Sequence, residues 1–272
     1  RRPWMSWCLT AMAIWSAVRM PNPIKVLLLG GTSEARMLAA RLDADERFTV
    51  ETSLAGATEK PLPVAGDSRR GGFGGTAGLA DYLRAASVDI VIDGTHVFAA
   101  TISRNATEAC DQTKTERLVI QRPPWEKTEG DRWLDVSDVP EAAAAVSQRG
   151  GRVFLTIGRQ DIAAFSGCRD AWFLIRSIDR PKQMIEVENY QLLQARGPFD
   201  FAAEKALLET NGIDLIVSKN SGGPDTYAKI EAARALALPV VMIRRPTPPD
   251  GSAVPSVDAA LAWLDERYAE VF

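Results

Sequence analysis

Ile24-Lys25-Val26-Leu27-Leu28-Leu29-Gly30-Gly31-Thr32-Ser33-Glu34-Ala35 is the stretch that decides the fold. Its first six residues form a short apolar run closed by two glycines, which reads as a strand buried on both faces of a parallel sheet. Ala35, Leu38, Ala39 and Leu42 then recur at i, i+3, i+4 and i+7, the apolar stripe of an amphipathic helix. Phe48 to Leu54 is a second strand, so residues 24–54 make one βαβ unit. Outward from it the alternation continues. Leu79, Tyr82, Leu83 and Ala86 mark a helix, Val88 to Ile92 a strand, Ala99 to Cys110 a helix and Arg117 to Gln121 a strand. Repeated βαβ units imply a mostly parallel sheet.

Arg122-Pro123-Pro124-Trp125 interrupts this pattern, and the polar stretch to Asp131 carries no periodicity. The alternation then restarts. Helices are expected at Val139–Gln148, Ala203–Thr210 and Thr226–Ala237, and strands at Val153–Ile157, Trp172–Ile175, Asp214–Ser218 and Val240–Ile243. A last helix carries Val257, Ala260, Leu261, Leu264 and Tyr268. The expected fold class is therefore α/β, with two doubly wound domains, at residues 20–130 and 131–272, flanking a cleft. Residues 1–19 stand apart. Arg1-Arg2 precede a mostly apolar stretch rich in tryptophan, shorter than the ~20 residues that span a bilayer and lacking a convincing cleavage site. They read as an extension outside the fold, with a weak export signal or a packed arm as the other readings.

Composition narrows the chemistry. Of 272 residues 46% are hydrophobic and 25% charged, ordinary values for a globular protein. A net charge of −3 argues against a dedicated nucleic-acid binder. Three cysteines without a CxxC pair give neither a disulfide framework nor a zinc site, and point to a reducing, cytoplasmic setting. One histidine, His96, leaves no room for a histidine-rich metal centre, and no metal is expected.

In open α/β sheets, ligands lie beyond the carboxyl ends of the strands, and this chain collects its unusual residues there. Gly30-Gly31-Thr32-Ser33-Glu34-Ala35 joins the first strand to the first helix, where glycines let a phosphate approach and the helix N-terminus attracts negative charge. It fits G-x-G-x-x-G poorly, and a plain capped turn is the competing reading. After the second strand, Ser53-Leu54-Ala55-Gly56 carries no acid of the kind that holds an NAD ribose. With Arg69 and Arg70 nearby, it suits a 2′-phosphate if a dinucleotide binds at all. Arg69-Arg70-Gly71-Gly72-Phe73-Gly74-Gly75 is a loop able to wrap a ligand or simply to flex on the surface. Asp93-Gly94-Thr95-His96 follows another strand, so the lone histidine is either functional or structural. In the second half Arg159 and the group Ser218, Lys219, Asn220, Ser221, Gly222 follow strands and suit an anionic ligand, or a solvated loop.

Taken together, GGTSEA (30–35), SLAGAT (53–58), GGFGG (71–75), DGTHVFAA (93–100), RPPW (122–125), IGRQDIAAF (157–165), GPF (197–199) and SKNSGG (218–223) resemble the precorrin-6A and cobalt-precorrin-6A reductase family, in order, over residues 24–246. The resemblance implies NADPH held between two α/β domains. It also implies reduction of a double bond in a ring-contracted tetrapyrrole, precorrin-6A, to precorrin-6B in cobalamin biosynthesis. The cofactor side is then Gly30, Gly31, Thr32, Glu34, Ala35, Ser53, Leu54, Ala55, Gly56, Gly71, Gly72, Phe73, Gly74 and Thr95. The substrate side is Arg159, Ser218, Asn220, Ser221 and Gly222. His96 and Lys219 are the side chains placed to assist chemistry, with a binding role favoured for both. Val97 stands where the family has proline. Ala57 stands where it has arginine, leaving one cationic contact for Arg69 or Arg70 to supply.

Hydride chemistry agrees with a chain that has no obvious nucleophile or metal cluster, since the cofactor carries the reaction. No nucleic-acid or membrane partner is expected, and a monomer is compatible with the sequence. The alternatives are another NADP-dependent oxidoreductase and a non-catalytic nucleotide sensor of the same fold.

Overall fold

The alternating pattern closes into two six-stranded sheets in which every neighbouring pair of strands is parallel. A computed structural model describes residues 22–56, 58–181, 189–248 and 250–271. The expectation of an extension at residues 1–19, and Ala57, lie outside them.

The first sheet is built from β1 (Ile24–Leu29), β2 (Phe48–Leu54), β3 (Asp67–Arg70), β4 (Ile90–Asp93) and β5 (Glu116–Ile120), joined through α1 (Ser33–Asp43), α2 (Gly75–Ala86) and α3 (Ala100–Thr113). The second holds β6 (Arg132–Val136), β7 (Gly151–Thr156), β8 (Ala171–Ser177), β9 (Tyr190–Gln194), β10 (Leu215–Lys219) and β11 (Pro239–Ile243), with α4 (Val139–Arg149), α5 (Phe201–Thr210) and α6 (Ala228–Ala235). Local chemistry fixes the helix starts. Thr32 Oγ1 accepts from the Ala35 N–H at 3.1 Å, Asp138 from Glu141 at 2.9 Å and Asp200 from Ala203 at 2.9 Å, each taking up an otherwise orphaned donor.

The chain does not end in the second domain. β12 (Ser252–Val254) crosses back and pairs with β5, and α7 (Val257–Val271) packs on the first sheet, where Ala260 and Leu264 are buried beside Leu38, Leu42 and Phe48. This corrects the expected division, in which residues 131–272 form one domain. The apolar stripe of α7 is a correct reading, but which sheet it covers is a tertiary choice invisible in local pattern. The completed first sheet runs β12-β5-β4-β1-β2-β3 and the second β6-β11-β10-β7-β8-β9. In the first, the strand order reverses between β1 and β4, the arrangement of dinucleotide-binding sheets. In the second it reverses between β7 and β10. Two crossings, residues 121–131 and 244–251, therefore connect the halves.

Four strands, β3, β6, β9 and the returning β12, have no counterpart in the sequence reading. β3 is Asp-Ser-Arg-Arg, mostly exposed, and exists because Glu51 to Leu54 of β2 offer it an edge. β6 and β9 are the outer strands of the second sheet. Edge strands bury little, so the alternation that betrays a strand is weak there.

Candidate active site

The loop after β1 is shaped by close approach. A Cβ on Gly30 would lie 2.8 Å from Thr52 Cγ2, so the first glycine lets β1 and β2 pack at their ends. Gly31 is different. Its φ is +130° and a Cβ there meets nothing within 4 Å, leaving open space at the N-terminus of α1. Thr32 turns inward, capping α1 and donating to the Gly94 carbonyl at 2.6 Å, which ties the ends of β1 and β4 together.

At the end of β2, Ser53 is buried and its Oγ accepts from Arg69 Nη1 at 3.0 Å. Arg69 lies over the Phe73 ring at 4.0 Å and also donates to the Gly71 carbonyl at 3.2 Å. One guanidinium thus gathers the second-strand end and the glycine loop. The nearby carboxylate, Glu51, is taken by the Tyr82 hydroxyl. Arg70 turns the other way, donating to the carbonyls of Thr58 and Glu59 at 3.0 Å each.

At the end of β4, Asp93 is buried and its Oδ1 accepts from the Thr95 N–H and hydroxyl at 3.0 and 2.7 Å. His96 is exposed in the cleft, its Nδ1 accepting from the Phe98 N–H at 3.3 Å, with the charges of Arg122, Lys219 and Arg245 acting on it. Desolvation, then these charges, push its pKa from 6.5 down to about 4. Phe98 reaches across the cleft and packs against the core of the second sheet, beneath Lys219 Nζ at 5.0 Å from the ring centroid. Lys219 in turn pairs with Asp161 at 2.5 Å. Arg159 pairs with Asp179 at 3.5 Å, and Asp179 also accepts from the Glu59 N–H of the first half at 3.0 Å. A cavity of about 290 Å³ opens beside His96, bounded by Thr95, Ser103, Arg104, Arg245 and Thr247. That is the small end of ligand pockets, roughly 300–1,000 Å³, and fits one part of a large ligand.

The predicted residues thus meet around one cleft but do different things. Glu34 does not face a ligand freely: Arg122 Nη1 donates to both of its oxygens at 2.8 and 2.9 Å. Burial alone would raise its pKa, but the bonds and charge of Arg122, its own backbone N–H and Ser33 together hold it below 4.5. The amide of Asn220 is fully engaged with the backbone of Trp125, accepting at 2.8 Å and donating at 2.9 Å. Ser218 and Ser221 are buried. A Cβ on Gly222 would sit 2.1 Å from the Pro123 carbonyl oxygen, so this glycine admits the first crossing. The SKNSGG loop is accordingly the seat of the RPPW segment, and Lys219 is its member that reaches the cleft. Sequence reading missed Asp161, Asp225 and Phe98. Only the position of Phe98, two residues past a strand-end histidine, hinted at it. Among the described residues no group of three His, Cys, Asp or Glu is arranged to hold a metal, and no helix is long and apolar enough to cross a membrane.

Two parallel sheets with facing switch points define a two-domain α/β protein with a cleft between its halves. The chain belongs to the precorrin-6x reductase family (CbiJ/CobK), whose model matches residues 25–265. It is 46% identical to the precorrin-6A reductase of Rhodococcus erythropolis over 88% of this chain and 97% of that one. It is 41% identical to that of Rhodobacter capsulatus over 90% and 97%. The cobalt-precorrin-6A reductase of Priestia megaterium is more distant, 28% identical over 81% and 90%. A solved CobK precorrin-6A reductase superposes with a TM-score of 0.84 at 41% identity, covering 89% of this chain and 96% of that one.

Proposed function

We propose that the protein reduces precorrin-6A to precorrin-6B with NADPH, the dinucleotide along the carboxyl edge of the first sheet and the macrocycle against the second. Family membership supports the reaction. The observation that carries the arrangement is Lys219, at the end of β10, lying over Phe98, which follows β4: the two switch points meet.

Gly31 and the N-terminus of α1 suit a pyrophosphate, since open space at the glycine coincides with the positive end of the helix. Arg69 beside Ser53, with Glu51 engaged elsewhere, suits a 2′-phosphate and favours NADPH over NADH. When bound, NADPH supplies the hydride. The chain's own residues bind, orient and exclude water. Lys219 and Arg159 offer positive charge to the carboxylate arms of the substrate, each now held in place by an acid that an arm would displace or share. Desolvation and the cations around His96 hold its pKa low, which suits shaping the pocket better than donating a proton. The proton that completes the reduction then comes from solvent or from Lys219.

Incubation with precorrin-6A and either NADPH or NADH, following nicotinamide absorbance and product mass, tests this reading. NADPH should be consumed as the macrocycle gains one hydride and one proton. Unchanged macrocycle, or equal use of NADH, removes the corresponding part.

A further inference from the structure

One guanidinium touches both halves of the site. Arg122, just beyond β5 on the first crossing, donates through Nη1 to Glu34 at 2.8 and 2.9 Å and through Nε to the Ser221 carbonyl at 2.8 Å. Glu34 is the second residue of α1, after Gly30-Gly31-Thr32-Ser33, whereas Ser221 belongs to the loop after β10. The side chains of both ion-pair partners are 16% exposed, so the pair escapes most of the screening that makes surface pairs weak. A second bond runs beside it: Ser33 Oγ donates to Asp225 Oδ2 at 2.7 Å, again from one half to the other.

The backbone of Arg122 is itself fixed. Arg245, on the second crossing, donates to the carbonyls of Asn220, Arg122 and Pro123 at 2.8, 2.7 and 2.9 Å. No carboxylate pairs with Arg245 among the described residues. The two crossings and the β10 loop are thus stapled into one piece, and Arg122 projects from it to the cofactor loop.

We propose that Arg122 is a positioning residue that couples occupancy of the dinucleotide loop to the set of the tetrapyrrole-binding half. The proposal rests on the NADPH and precorrin-6A reading above. A carboxylate at the N-terminus of α1 competes with an incoming phosphate for the same partial positive charge. Glu34 is shared between its own N–H and Ser33 at the helix end and Arg122 of the crossing, so a phosphate arriving at Gly31 shifts the carboxylate towards Arg122 by repulsion. Binding on one side then favours the closed arrangement that the other ligand needs, and the effect is reciprocal.

Calorimetric titration of the full chain with precorrin-6A, with and without saturating NADP⁺, reads the coupling as a ratio of dissociation constants. In the native protein NADP⁺ should tighten precorrin-6A binding on the order of tenfold, within the usual range of such couplings. Arg122→Lys keeps the charge but loses the fork that bonds two partners at once, and should bring the ratio close to one while each ligand alone binds within about threefold of native. Glu34→Gln, nearly isosteric, should likewise bring the ratio close to one, with NADP⁺ alone binding more tightly because a competing charge is gone, and the double variant should lose no further coupling. The nearly isosteric variant carries the test if Arg122→Lys does not fold. A change in stability alone leaves the ratio untouched. An undiminished ratio in both variants, or a ratio of one in the native protein, overturns the coupling. Failure of the native protein to bind either ligand overturns the functional reading and the coupling with it.

Discussion

His96 and Arg69 show how a side chain's neighbours decide its work. The folded His96 resists protonation until about pH 4, whereas the unfolded chain takes up that proton near pH 6.5. The contribution of this group to stability is therefore complete above pH 6.5 and lost as pH falls towards 4. Activity should show no step near pH 6.5, because the imidazole is already neutral there. Steady-state kinetics of His96→Ala should give a raised KM with kcat changed less than about tenfold. A hundredfold fall in kcat at constant KM would instead mark it as a proton donor. Arg69 makes a sharper prediction. Its guanidinium is held by Ser53 Oγ and the Phe73 ring in the place proposed for a 2′-phosphate. A hydrogen bond to a charged group is worth about 1.5–3 kcal/mol, so Arg69→Ala should weaken NADPH binding roughly ten- to hundredfold. NADH binding should barely change, and an equal loss for both cofactors would sink the assignment.

At the scale of elements, the returning segment is the feature with the largest energetic consequence. Leu264 of α7 is fully buried in the core of the first sheet, together with Ala260. Leu264→Ala should cost about 2–5 kcal/mol. In urea unfolding followed by hydrogen exchange, the amides of β1, β4 and β5 should lose protection while those of β7, β8 and β10 keep theirs. Equal loss in both sheets would mean that the halves unfold as one unit. The strands readable in the sequence were those buried on both faces, such as Leu27-Leu28-Leu29 and Leu215-Ile216-Val217, because uninterrupted apolar runs need no partner to be recognised. β3 and β6 were not legible, since Asp67-Ser68-Arg69-Arg70 and Arg132-Trp133-Leu134 leave much of their surface to water. The sheet that α7 joins was illegible for another reason: β12 pairs with Leu118 to Ile120, more than a hundred residues away.

The whole molecule places at one cleft what the sequence shows as scattered strand ends. That placement was legible, because ligands of such sheets gather beyond the carboxyl ends of strands whatever the residues there. The long-range pairings were not. Arg122 with Glu34 and Asn220 with Trp125 join residues 88 and 95 positions apart, and nothing local distinguishes a paired arginine or amide from a free one. Phe98 is the apolar counterpart of these bonds. It leaves the first half two residues after His96, packs against the core of the second and lies under Lys219. Being only partly buried, it should contribute less than the 3–5 kcal/mol of a core phenylalanine, roughly half of it. Removing it takes away an apolar contact between the halves without touching the residues proposed to hold the dinucleotide. Phe98→Ala should therefore open the ligand-free protein, seen as a larger radius of gyration in small-angle scattering. NADPH should still bind within about threefold of native, because the contacts proposed for it lie in one half, while kcat/KM for precorrin-6A falls tenfold or more, since remote misplacement of the reacting groups is costly. Unaltered scattering together with native kcat/KM would show that the halves are held by the polar bonds alone.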